Sequence, residues 1–162
     1  MQVYTDGACT GNKRNSSHSR AGVGVYFGEG HELNYSGQLA QPPHTNQRAE
    51  LAAIAIAVER LQSLYANGLI GQSTIYTDSQ YSINCLTKWA AAWECKGWRT
   101  SKGTAVENQD LIKPLRAALA PLPIQLVHVR GHAGILGNQR ADALAVQGIL
   151  GRPKEPVETL LI

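Results

Sequence analysis

Two short stretches of this chain are near copies of each other: Val3-Tyr4-Thr5-Asp6-Gly7 and Ile75-Tyr76-Thr77-Asp78-Ser79. In each, a β-branched residue, a Tyr and a Thr run into an Asp, which is the composition of a short strand. The Asp sits at the same offset in both. Laid side by side and parallel, the strands would bring their carboxylates together at one end of a sheet. Neighbouring carboxylates repel and raise one another's pKa. A chain that keeps them together needs a cation to offset that repulsion.

A second echo points the same way. Asn46-Gln47-Arg48-Ala49-Glu50 and Asn138-Gln139-Arg140-Ala141-Asp142 differ only in the final acid. Each opens with Asn, a preferred N-cap, and leads into an apolar helical pattern. The expectation is a carboxylate near the first turn of each helix. A blander account exists for every acid alone. Acids in a first turn stabilise the helix macrodipole by about 0.3–1 kcal/mol each, and an Asp after a strand often starts a turn. Independent structural acids, however, have no reason to share their whole context in pairs.

The rest of the chain supplies a scaffold. Arg20 to Phe27 and Leu33 to Leu39 read as strands around a Gly28-Glu29-Gly30 turn, an antiparallel meander with the first strand. Cys9 to Ser19 reads as a loop. Gln41-Pro42-Pro43-His44 breaks the pattern. Leu51, Ile54, Ala55, Val58, Leu61, Leu64 and Tyr65 then follow helical spacing, closed by Asn67-Gly68. Ser73 to Thr77 is a strand, and Ser79 caps a short helix through Thr87. A Trp-rich basic segment spans Lys88 to Lys102. Asn108 to Ala120 is a helix, Ile124 to Val129 a fifth strand, Arg130 to Gly137 a glycine-rich loop, and Asn138 to Gln147 the last helix. The class is α/β, a mixed sheet flanked by helices.

Composition sets bounds. At 162 residues with 43% hydrophobic and 17% charged content, one domain with a sizeable core is expected. We place it at residues 1–150, with a loosely held tail at 151–162 that ends in Leu160-Leu161-Ile162. The net charge of +3 permits a nucleic-acid partner. Cys9, Cys85 and Cys95 are odd in number and lack C-x-x-C spacing, which speaks against a disulfide framework or a zinc site. No transmembrane-length apolar run or charged-then-apolar leader is present, and the first strand starts at or near Met1. These features lead us to expect an intracellular protein (cytoplasm, or nucleus in a eukaryote) without an appended domain or a membrane partner. Carboxylate oxygens are hard ligands, suited to Mg²⁺ or Mn²⁺. Four of them could hold two ions.

Tyr4-Thr5-Asp6-Gly7, Thr45 through Glu50, Tyr76-Thr77-Asp78-Ser79, Gly131-His132 and Gly137 through Asp142 together resemble type 1 ribonuclease H, in that family's order and spacing, and most of all its cellular eukaryotic-type catalytic domain. The resemblance runs from Met1 to about Gly148. It implies the ribonuclease H-like fold, a five-stranded mixed sheet with three antiparallel strands and two further parallel ones. It also implies Mg²⁺-dependent endonucleolytic cleavage of the RNA strand of RNA–DNA hybrids by a monomer, giving 3′-hydroxyl and 5′-phosphate ends. By the same carry-over Asp6 bridges two ions, Asp142 completes one, and Glu50 and Asp78 complete the other. His132 assists proton transfer and product release.

Further residues match that family's hybrid contacts. Trp89, Trp93 and Trp98 fall in one segment with Lys88, Lys96, Arg99 and Lys102, a mix that serves equally as a local hydrophobic cluster or a nucleic-acid surface. By resemblance, Tyr81, Trp89 and Trp93 line the DNA channel, and Trp98 is structural. Ser101 joins the substrate-binding set. Thr45 and Asn108 belong to a DNA phosphate pocket, and Asn12, Asn46 and Gln47 contact the minor groove. Pro43 stands where eukaryotic members carry an Arg in that pocket. Three rival readings stay open: a ribonuclease H domain of a retroelement polyprotein, a catalytically weak hybrid-binding module, and a resolvase or transposase core on the same fold.

Overall fold

The computed structural model describes residues 1–11 and 19–151. Asn12, His18 and the tail from Arg152 onward lie outside them. Five strands, β1 (Gln2–Thr10), β2 (Arg20–Tyr26), β3 (Tyr35–Gln38), β4 (Ser73–Thr77) and β5 (Ile124–His128), form one sheet in the order β3-β2-β1-β4-β5. β1, β2 and β3 pair antiparallel, while β4 lies parallel to both β1 and β5. This is the expected mixed sheet. β1 runs further than its sequence suggests: Cys9 and Thr10 stay paired with Ala21 and Arg20, so the loop begins later. β3 is shorter, because Leu33 and Asn34 are held in the turn: Leu33 N–H donates to the His31 ring, and Asn34 Oδ1 accepts from Phe27.

α1 (Asn46–Ala66) packs on one face of the sheet and α5 (Leu136–Leu150) on the other. The α1 face carries the large apolar core. Val3, Val23 and Val25 of the sheet meet Leu51, Ile54, Val58 and Leu61, with Ile112 and Leu115 of α4 (Gln109–Leu119) behind them. On the α5 face β2 presents glycines, Gly22 and Gly24. A Cβ on Gly24 would stand 2.1 Å from the carbonyl oxygen of Ala141, so the helix backbone rests directly on the strand. On the opposite side a Cβ on Gly7 would lie 2.4 Å from the backbone nitrogen of Glu50. These two contacts press the N-terminal parts of both helices against the middle of β1 and β2, around Asp6.

Three helix boundaries differ from expectation. Thr45, not Asn46, caps α1, its hydroxyl accepting from the Arg48 amide at 3.3 Å. α5 begins at Leu136 with no side-chain cap, so Asn138 is inside the first turn, where it is buried. Consequently neither Glu50 nor Asp142 lies in a first turn, and macrodipole stabilisation does not account for them. Finally, Ser79 does cap α2 (Gln80–Ile83), but the chain then continues through a π-helical segment (Asn84–Trp89) into α3 (Ala90–Cys95). Nothing in the sequence marks that wider turn.

The close approach at Gly24 makes a stability prediction. Gly24→Ala forces α5 off the sheet and should cost about 1–3 kcal/mol, the range for overpacking. In urea unfolding the midpoint should drop with an unchanged m-value. A midpoint equal to wild type would mean that the helix–strand contact has room to spare.

Candidate active site

The parallel pairing of β1 with β4 sets the site. Tyr4 is opposite Tyr76 and Thr5 opposite Thr77, so Asp6 and Asp78 come next on adjacent strands. The two Tyr rings below them stack with centroids 4.8 Å apart, which fixes the register from the side-chain layer as well. Glu50 arrives from α1 because Gly7 lets that helix touch β1. Carboxylate oxygens of Asp6, Glu50 and Asp78 all lie within 4.8 Å of one another. Asp142 of α5 stands outside that tight group. It lines the same cavity of about 290 Å³, together with His132, Asn138 and Gln139.

The electrostatics are those of acids crowded without a counter-charge. Burial above all, then the Asp78 charge, pushes Asp6 up to about 7, against the Gly7 amide that lowers it; the Asp142 charge adds to the rise. Gly7 N–H donates to Asp6 Oδ1 at 2.8 Å. Burial, then the charges of Asp6 and Asp78, pushes Glu50 up to about 9, with a smaller opposing effect from the Thr77 hydroxyl. Among the described residues, the ion pairs lie elsewhere, as Arg48–Asp110, Arg116–Glu94 and Arg140–Glu29.

Two buried acceptors face this cavity's residues without a hydrogen-bond donor, Glu50 Oε2 and Asn138 Oδ1. Orphaned buried acceptors are expensive. An all-oxygen donor set of this kind fits a hard divalent cation, and it lacks the thiolates or paired imidazoles that zinc favours.

Asn138 belongs to the site, although its sequence position reads as a helix cap. Its Nδ2 donates to Asp78 Oδ2 at 3.3 Å, which orients that carboxylate. The clue was the shared Asn of the two echoes, whose partner Asn46 is instead exposed at the start of α1. His132 is exposed on the loop before α5, with left-handed backbone at φ 54°.

The remaining predicted contacts fall into two groups. Gln47 lies beside Asn46, also exposed, one turn before Glu50. Tyr81, Trp89, Trp93 and Trp98 form a continuous aromatic ladder, with successive ring centroids 6.2, 5.8 and 6.0 Å apart. Lys113 lies 4.7 Å from the Trp98 ring centre, a cation–π contact. Ser101 is exposed in the turn closed by Thr100 and Thr104. Asn108 touches the ladder directly, its Nδ2 donating to the Tyr81 hydroxyl at 3.0 Å. Arg48 is buried and held by Asp110 and Asn108.

Comparison with known proteins agrees with this geometry. The RNase H family model matches residues 1–150. Ribonuclease H1 of Homo sapiens is 42% identical over 146 residues, covering 90% of this chain and 49% of that protein. The chain thus spans about half the length of the mammalian relatives it matches. Ribonuclease H of a Cyanothece strain is 39% identical over 154 residues, covering 95% of this chain and 92% of that protein. Among solved structures, LC9-RNase H1, described as a type 1 RNase H with the type 2 active-site motif, superposes with a TM-score of 0.69 at 29% identity, covering 93% of this chain and 72% of that one. A foamy viral protease-reverse transcriptase in complex with RNA/DNA hybrid gives a TM-score of 0.69 at 27% identity, over 91% of this chain and 19% of that one. With the matched model extending over the whole described sheet and its helices, this chain belongs to the ribonuclease H family as a type 1 member.

Proposed function

We propose that this protein is an endonuclease that hydrolyses the RNA strand of RNA–DNA hybrids with two divalent ions, Mg²⁺ or Mn²⁺, leaving 3′-hydroxyl and 5′-phosphate ends. The observation that carries this reading is the convergence of Asp6, Glu50 and Asp78 within 4.8 Å, beside a cavity wall that includes Asp142 and His132. Bound ions would supply an activated water and a stabilised leaving oxygen. Asp6, central to the cluster, would bridge the ions, with Asp142 completing one site and Glu50 and Asp78 the other.

The chain's own residues prepare that chemistry. Asn138 holds the Asp78 carboxylate, and the Gly7 amide holds Asp6. His132, exposed at the cavity mouth, can carry a proton to or from the reacting phosphate and solvent. The aromatic ladder offers flat faces for a sugar–base backbone, and Thr45 with Asn108 offers hydrogen bonds to a DNA phosphate. Asn46, Gln47 and Ser101 complete the described contact set, with Asn12 outside the described residues. This reading takes a monomer as the working unit. No described helix is long and apolar enough to cross a membrane.

Three experiments test the reading. Labelled RNA–DNA hybrid, duplex RNA and duplex DNA are incubated with and without Mg²⁺. Hybrid alone should be cut, only with the ion, and Asp6→Asn should bind hybrid without turning it over. Activity in chelator, or equal cutting of duplex RNA, would refute the proposal.

The raised acids give a pH signature of the ion-free protein. An acid whose folded pKa exceeds its unfolded value near 4 makes the folded state bind the extra proton. That contribution to stability is full below the unfolded value and is lost as pH rises toward about 7 for Asp6 and about 9 for Glu50. Hence the melting temperature in chelator should fall between about pH 5 and about pH 8.5, less steeply in Asp6→Asn. Mg²⁺ should restore it in wild type at the higher pH and leave the variant largely unchanged. A flat wild-type profile in chelator would contradict the electrostatic account.

His132→Ala should slow turnover about 10²–10⁴-fold, the usual worth of acid–base assistance, with hybrid binding and the Mg²⁺-induced rise in melting temperature both intact. Loss of that Mg²⁺ response would instead make His132 a ligand.

A further inference from the structure

Arg48 is buried, at 4% exposure, between α1 and the start of α4. Its two terminal nitrogens grip both oxygens of Asp110 at 2.9 and 2.7 Å, and Nη1 also reaches Asn108 Oδ1 at 3.3 Å. Its backbone N–H meanwhile donates to Thr45 Oγ1. One residue is therefore bonded to both Thr45 and Asn108, which lie 63 positions apart in sequence.

The chemistry of these bonds fixes polarity. A guanidinium only donates, so the oxygen of the Asn108 amide must face it. The amide nitrogen must then face the other way, toward Tyr81, whose hydroxyl accepts one of its two hydrogens. The second N–H remains for a substrate oxygen. At Thr45 the hydroxyl oxygen accepts from the Arg48 backbone N–H, a helix-cap bond independent of the guanidinium, which leaves its hydrogen to donate. Asn108 supports this assignment in its backbone: it occupies the cap position of α4 at φ 58° yet makes no capping bond with its side chain. That side chain is given over to Arg48 and Tyr81 instead. Asp110 balances the buried guanidinium, which could not otherwise stay charged there without a large penalty.

We propose that the Arg48 side chain is a positioning residue for substrate phosphate, locking the Asn108 amide with an N–H outward beside Thr45, whose hydroxyl is set by the Arg48 backbone N–H. The proposal rests on the hybrid-cleaving reading and adds to it a residue that never touches substrate. Without Arg48 the Asn108 amide is free to rotate and present its oxygen to a phosphate, which repels it.

A double-mutant cycle on the full chain tests this, with cleavage kinetics on an RNA–DNA hybrid. Arg48→Gln, which both donates and accepts, should raise KM about tenfold, the scale of one lost hydrogen bond to a charged group, with little change in kcat. Asn108→Ala should raise KM by a similar factor. In the Asn108→Ala background Arg48→Gln should add less than about twofold, because the group it orients is gone. A full additional KM increase there, or no KM change in the single variant, overturns the positioning role. If Arg48→Gln does not fold, Arg48→Lys enters the same cycle, with a smaller KM increase that must likewise vanish in Asn108→Ala. Failure of the underlying reading looks different: wild type then cuts no hybrid, or Asn108→Ala leaves KM unchanged.

Discussion

The parallel pairing of β1 with β4 is the constraint from which the rest of this molecule follows. Once Tyr4 faces Tyr76 and Thr5 faces Thr77, Asp6 and Asp78 are adjacent by covalent necessity. The pairing is enforced by layers that have nothing to do with chemistry: buried Val3 and Ile75 on one side and the stacked Tyr4–Tyr76 pair on the other. A one-residue slip would turn every side chain of β1 to the wrong face, burying Asp6 in the apolar core and moving Val3 to the α5 face. The hydrophobic pattern thus defends the position of two acids that repel each other. Stability lost at the acids is offset by core packing some distance away, the usual arrangement when a site carries unfavourable charge.

The small residues complete this logic. Both helices bearing acids approach the sheet closely, α1 at Gly7 and α5 at Gly24. With side chains at those positions, Glu50 and Asp142 would sit farther from Asp6. The site is therefore specified twice, by the acids and by the missing Cβ atoms that let their helices in.

Much of this was readable beforehand, and the exceptions share a cause. The strands and the Asp6–Asp78 juxtaposition follow from period-2 patterning, which is a local property with a two-fold side-chain repeat. The cap of α1 was misplaced by one residue, because Thr and Asn are interchangeable as caps and only tertiary contacts choose between them; that of α5 was misplaced by three, because the helix starts after Ile135 with no side-chain cap to mark it. Asn138 was drawn into the site by Asp78, a residue 60 positions away. Likewise Arg48 looks like one more polar residue of an exposed first turn. Its burial depends on Asp110 arriving from α4, and no pattern within α1 announces that. The π-helical segment before α3 has no compositional mark at all.

Two polar clusters thus lie along the N-terminal turns of α1, and they differ in how their charge is balanced. The Arg48–Asp110–Asn108 cluster is neutral within itself, with cation, anion and amide already paired in the folded chain. The Asp6–Glu50–Asp78 cluster is not, since it contains only acids. A self-balanced cluster is pre-organised whether or not ions are present, whereas an all-acid cluster takes its working charge state only with them. In the proposed function this divides labour along one helix. The turn that carries Thr45 and Arg48 is ready to hold the DNA strand at all times, and the next turn, which carries Glu50, becomes competent when cations arrive. Binding and cleavage then respond to ion concentration separately, because the helix that joins the two clusters is rigid while their electrostatic needs are not shared.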